Sequence, residues 1–147
     1  MGFRFSLESV LRLRVSIERQ EQTRLEFAAR LMLTAQERCE SLRKEKLQME
    51  EDFRSKMLSG VTSENLHVHQ STRAGLDTIE VEAHKTAADA RHSWEGQRLS
   101  FLQARRDREV VASIRERRHE EYVLDQNRRE QQAVDDLFAM RRSQPNG

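Results

Sequence analysis

The sequence predicts an all-α fold: two long helices forming an antiparallel coiled-coil hairpin, the second helix longer than the first. Apolar residues recur in alternating three- and four-residue steps along most of the chain, which is the spacing of a heptad seam. Turn chemistry is concentrated in a single stretch, Ser59-Gly60-Val61-Thr62-Ser63. The one proline, Pro145, falls in the terminal tail, so nothing before it forbids helix.

The first helix is expected over about residues 4–58. Its seam runs through Leu25, Ala28, Met32, Ala35, Cys39, Leu42, Lys46, Met49 and Phe53, with Lys46 as a charged intruder. A similar upstream stripe (Leu7, Val10, Arg14, Ile17, Glu21) joins it through an extra four-residue step resembling a stutter. In the turn, over about residues 59–63, Gly60 can adopt the left-handed conformation that ends a helix, and Val61 can pack. Thr62 or Ser63 can cap the next helix, and Glu64 suits its positive end.

The second helix is expected over about residues 63–141. Leu66, His69, Arg73, Leu76, Ala83, Ala87, Ala90, Trp94, Gln97, Phe101, Ala104, Arg108 and Val111 mark its seam, with Glu80 between Leu76 and Ala83 and Ile79 beside the stripe. The three alanines permit close helix approach, whereas Trp94 and Phe101 fill wider gaps. Beyond Val111 the register blurs. Folding back at Gly60 pairs residues whose numbers sum to about 121. Past about residue 118 the second helix then lacks a partner, yet it carries Tyr122, Leu124, Val134, Leu137, Phe138 and Met140. Such a face either awaits a partner or is a solvated tail. Residues from about 143 onward read as disordered, and the whole chain as one coiled-coil domain.

Composition agrees. The chain is 36% hydrophobic and 35% charged, too polar for a thick core but sufficient for a narrow seam. Its 26 basic and 25 acidic residues argue against binding nucleic acid by phosphate neutralisation. The densest basic stretch, Arg105 to Arg118, is interrupted by Asp107, Glu109 and Glu116; an arginine-rich nucleic-acid-binding helix there is an alternative whose affinity would fall with salt. Cys39 has no second cysteine to pair with, which fits a reducing compartment, and it lies on the seam. No apolar run of about 18 residues suggests a membrane span. The charged N-terminal FRFSLESVLRLR is no secretory signal, so a cytoplasmic location is expected.

Nothing points to catalysis. The glycines are dispersed, with no phosphate loop, and no nucleophile elbow occurs. His67 and His69 are two apart and would diverge on a helix, so no metal site is expected. Carboxylates such as Glu50, Glu51, Asp52, Asp135 and Asp136 have no cleft to raise their pKa values. A non-enzymatic protein without cofactor, acting by binding other proteins, is the expectation.

Three segments together resemble the FliJ family of flagellar type III export proteins: the opening FRFSLESVLRLR, the tip SKMLSGVTSENL, and LDQNRREQQAVDDLFAMRR near the C-terminus. The resemblance implies a soluble antiparallel coiled coil, similar to the stalk of rotary ATPases, that serves flagellar biogenesis and motility. It implies binding to a hexameric export ATPase, to the cytoplasmic domain of the export gate and to export chaperones. That would place it peripherally at the inner membrane, through its partners. On this resemblance Phe3, Phe5, Leu7, Leu11, Leu137, Phe138 and Met140 form the ring-binding end, and Leu42, Met49, Leu76, Ile79 and Ala83 the gate-binding region. Phe3 and Phe5 could equally staple onto the second helix, and Leu42, Met49 and Leu76 could be seam residues alone. Glu45 and Thr72 stand where some members have aromatic residues. A generic structural coiled coil, or the equivalent stalk of a virulence secretion system, is the alternative.

Overall fold

A computed structural model describes residues 2–144. It contains two helices packed against each other, α1 (Glu8–Ser59) and α2 (Ser63–Ser143), and no strand among the described residues. Most of the expected tail, residues 145–147, lies outside the described residues. The chain divides into two compact units, Gln20–Leu102 and Met1–Arg19 with Gln103–Gly147.

In the unit Gln20–Leu102, the end of α1 and the start of α2 run antiparallel around the turn. Gly60 takes φ 101°, a conformation that costs a residue with a Cβ. The Asn65 N–H donates to Thr62 Oγ1 (3.2 Å), making Thr62 the N-cap, and Glu64 lies in the first turn. The expected seam positions on α1 are shielded from solvent: Leu25, Ala28, Met32, Cys39, Lys46, Met49 and Phe53 are half-buried, and Ala35 and Leu42 are buried. On α2, Leu76, Ala83, Ala87, Ala90, Trp94 and Gln97 answer them. Leu66 and Arg73 are exposed, although His69 between them stacks on Phe53 and Arg73 pairs with Glu50 of α1 (3.6 Å).

Lys46 occupies its seam position because α2 supplies two carboxylates, Asp77 at 2.6 Å and Glu80 at 3.1 Å. Hydrogen bonds to Asp77 and Glu80 hold the Lys46 ammonium above its usual pKa, and the hydrogen bond from Lys46 holds the Asp77 carboxyl below its own. Gln97 similarly donates to the Glu21 carboxylate across the seam.

In the other unit, α1 begins at Glu8, later than the sequence suggested. The Glu8 N–H donates to the Phe5 carbonyl (3.2 Å) in a turn, which leaves residues 2–5 as non-helical backbone. The seam does not blur after Val111, as the sequence suggested; it continues with arginines in place of apolar residues. Arg108 pairs with Glu18, Arg115 with Glu8 (3.1 Å), and Arg118 donates to Ser6 Oγ (2.8 Å). Ala104, Val111 and Arg118 are seven apart, as are Arg108, Arg115 and Tyr122, so the heptad persists while its hydrophobic signal is lost. The predicted partnerless stretch also starts later. Tyr122 still meets Phe3, with ring centroids 5.6 Å apart. From Asn127 to Gln144 every described residue is exposed.

The register expected from folding at Gly60 is met by Arg14–Asp107 (3.5 Å) and lies within a few residues at Lys46–Asp77 and Phe53–His69. The core is correspondingly thin. Among the described residues only Phe5, Ala35, Leu42 and Ala104 are buried, and no polar or charged side chain is.

Candidate functional site

With so little interior, whatever this chain does must be done at its surface. No helix among the described residues is long and apolar enough to cross a membrane. The surfaces of interest are those where apolar side chains stay exposed on a fixed helical frame.

The N-terminal segment docks on α2. Phe5 is 8% exposed, with the Arg118 guanidinium 5.7 Å from its ring centre, a cation–π arrangement. The Phe3 ring meets His119 edge-on at 5.0 Å, and with Leu11 it borders a shallow groove lined by Ala112, Arg115, Glu116 and His119. Leu7 is half-buried beside it. Of the two placements the sequence left open for Phe3 and Phe5, the structure shows the staple onto α2.

Leu137, Phe138 and Met140 stand apart from that cluster. They lie 15 or more residues beyond Tyr122, about 22 Å further along the helix at about 1.5 Å per residue. Leu137 and Phe138 are each 60% exposed and Met140 is 65% exposed. The terminal residues grouped by sequence reasoning are thus two surfaces, one packed and one bare.

The mid-chain set also divides. Leu42 is 3% exposed and holds the two helices together. Met49, Leu76 and Ala83 are half-buried, and Ile79 alone of the five is exposed, at 45%. Ile79 and Ala83 border an open groove with Leu31, Thr34, Arg38 and Ala90. Its neighbour, lined by Phe27, Ala28, Leu31, Ala90, Ser93 and Gln97, extends it along the same unit. Sequence reasoning missed Phe27 and Leu31. Their signal was an i, i+4 apolar pair lying off the seam. Nearer the turn, Met49 lines a groove with Phe53, Val61, Val68 and His69, where His69 stacks on Phe53 at 3.7 Å.

These surfaces carry no charged cleft, and among the described residues no group of three potential ligands could hold a metal ion. What they offer is shallow apolar area flanked by charged side chains, suited to another helix or to a protein groove.

The sequence model of the flagellar FliJ protein family matches residues 3–147. No curated protein and no solved structure gives a match. The match takes in both helices, the turn and the bare end of α2, and the chain therefore belongs to the flagellar FliJ protein family, whose members are components of flagellar type III export.

Proposed function

We propose that this protein is the stalk-like coupling component of the flagellar export apparatus, joining the hexameric export ATPase to the cytoplasmic domain of the export gate and assisting export chaperones. One observation carries the reading. α2 runs some twenty residues past Tyr122, which meets Phe3 of the N-terminal segment, and keeps Leu137, Phe138 and Met140 bare. A helix end of that kind can enter the central opening of a ring, where its apolar side chains are desolvated by the surrounding subunits. Phe3, Phe5, Leu7 and Leu11 act with it as the base of the inserted end. Phe5 stiffens that base, whereas Phe3 and Leu11 offer part of their surface to the ring.

The gate-binding surface lies in the other unit. Ile79 and Ala83 contribute its contact area through the groove they share with Leu31, and Met49 and Leu76 contribute smaller parts. Leu42 serves by fixing the spacing of the helices. Location at the membrane follows from these partners.

The experiment is stimulation of the cognate ATPase by the purified full chain. The expected result is an increased rate of ATP hydrolysis that is lost on Leu137→Ala with Phe138→Ala, while gate binding is kept and Ile79→Asp removes gate binding alone. A rate indifferent to the added chain would leave a structural spacer as the better description.

A further inference from the structure

The bare end of α2 carries a charge pattern that is complementary to itself. Leu124, Gln131 and Phe138 are seven residues apart, as are Asn127, Val134 and Arg141, and together they make an a/d stripe on one face. This stripe is not the continuation of the seam with α1. The seam positions Arg115 and Tyr122 lead on to Arg129 and Asp136, two residues out of phase with Leu124 and Phe138, so α1 could not cover the stripe even if it were longer.

Beside the stripe runs a second row at heptad spacing, Glu121, Arg128, Asp135 and Arg142, all four exposed. Asp135, Phe138 and Arg142 border one shallow depression, which places the charged row next to the apolar one. Asp135 accepts a hydrogen bond from Gln131 within the helix (3.2 Å).

We propose that this segment pairs, antiparallel and two-fold symmetric, with the same segment of a second copy of the chain. When two copies of one helix lie antiparallel, residues flanking the seam face their own row in reverse order. Glu121 then meets Arg142 and Arg128 meets Asp135, and the two-fold axis repeats both pairs. In the parallel arrangement this row instead faces the other flanking row, Val123, Glu130 and Leu137, so Arg128 and Arg142 meet apolar side chains, Asp135 meets the like-charged Glu130, and both attractive pairs are lost. The same antiparallel register sets Leu124 against the stem of Arg141, Val134 against Gln131, and Phe138 against Asn127. The overlap runs from Glu121 to Arg142, and within it every one of the paired residues is exposed; Tyr122, which meets Phe3, lies off the stripe and the charged row. Three of the six stripe positions are polar, so the association is weak and depends on concentration. The inference does not rest on the stalk reading and is tested on the purified chain alone.

Sedimentation equilibrium of the full chain, with a reductant present to keep Cys39 from cross-linking copies, should show a monomer–dimer equilibrium. Arg128→Asp should weaken it about tenfold, since two attractive pairs per dimer become repulsive. Asp135→Arg should do the same, and the doubly reversed Arg128→Asp, Asp135→Arg chain should recover the parent affinity. These positions are exposed, and an unchanged far-ultraviolet circular dichroism spectrum checks that each variant is folded. A chain that is monomeric at all concentrations overturns the proposal. So does a dimer that ignores the single reversals, or one that the double reversal fails to restore.

Discussion

Lys46 sits where a coiled coil ordinarily places leucine, and its neighbours show how the seam accommodates it. Its ammonium is held between Asp77 and Glu80, which raises its pKa and lowers that of Asp77. The two shifts have opposite consequences for stability against pH. Because the Asp77 value is depressed on folding, its contribution is present at neutral pH and is lost as pH falls through and below the ordinary carboxylate range. Because the Lys46 value is raised, its contribution is lost only as pH climbs above the ordinary lysine range. Thermal melts followed by circular dichroism should therefore be flat near neutrality and decline in acid, and Asp77→Asn should flatten the acid limb. The seam's apolar contributions are easier to rank. Leu42→Ala removes a buried side chain and should cost about 2–4 kcal/mol in urea denaturation, whereas Leu58→Ala, at a position 89% exposed, should stay within about 0.5 kcal/mol of the parent.

At the level of elements, the turn is set by two residues doing different jobs. Gly60 supplies the positive φ, and nothing lies within 4 Å of a Cβ built there, so Gly60→Ala should cost about 1 kcal/mol through backbone strain alone. Thr62→Ala removes the cap on Asn65 and should cost about 1 kcal/mol as well. Both are read as shifts in melting temperature, and their effects should be less than additive because both act on one turn. Turn, capping residue and seam phase were legible in the sequence because each rests on a local residue preference or a short periodicity. The continuation of the seam through Arg108, Arg115 and Arg118 was not. Hydrophobic periodicity cannot register a seam in which arginine, paired with Glu18, Glu8 and Ser6, replaces leucine. The N-terminal staple could be offered only as one of two placements for a related reason: Phe3 and Phe5 precede the helix, so no helical spacing could set Phe3 against His119 and Tyr122 or Phe5 against Arg118.

For the molecule as a whole, removing residues 124–147 should leave the paired part folded, with an unchanged melting midpoint and a helical signal lower only by the missing length, while ATPase stimulation disappears. A lowered midpoint would show that the bare end of α2 supports the fold. Sequence reasoning found the exposed apolar character of this end and its approximate start, but grouped it with Phe3 and Phe5 because the family resemblance joins both helix termini in one ring-binding end. It also overlooked the Phe27–Leu31 groove, because isolated apolar residues off a seam look like ordinary surface. The half-buried charges of the seam, Lys46 and Arg108, bear on how the two helices are aligned. A purely leucine seam tolerates slippage, since every heptad offers the same fit one step along. Here a one-heptad slip would confront Lys46 with Arg73 or His84, and Arg108 with Leu11 or Leu25. The helices are thereby keyed to a single longitudinal alignment, and mechanical work passed through them must take the form of bending or twisting, never of one strand gliding past the other.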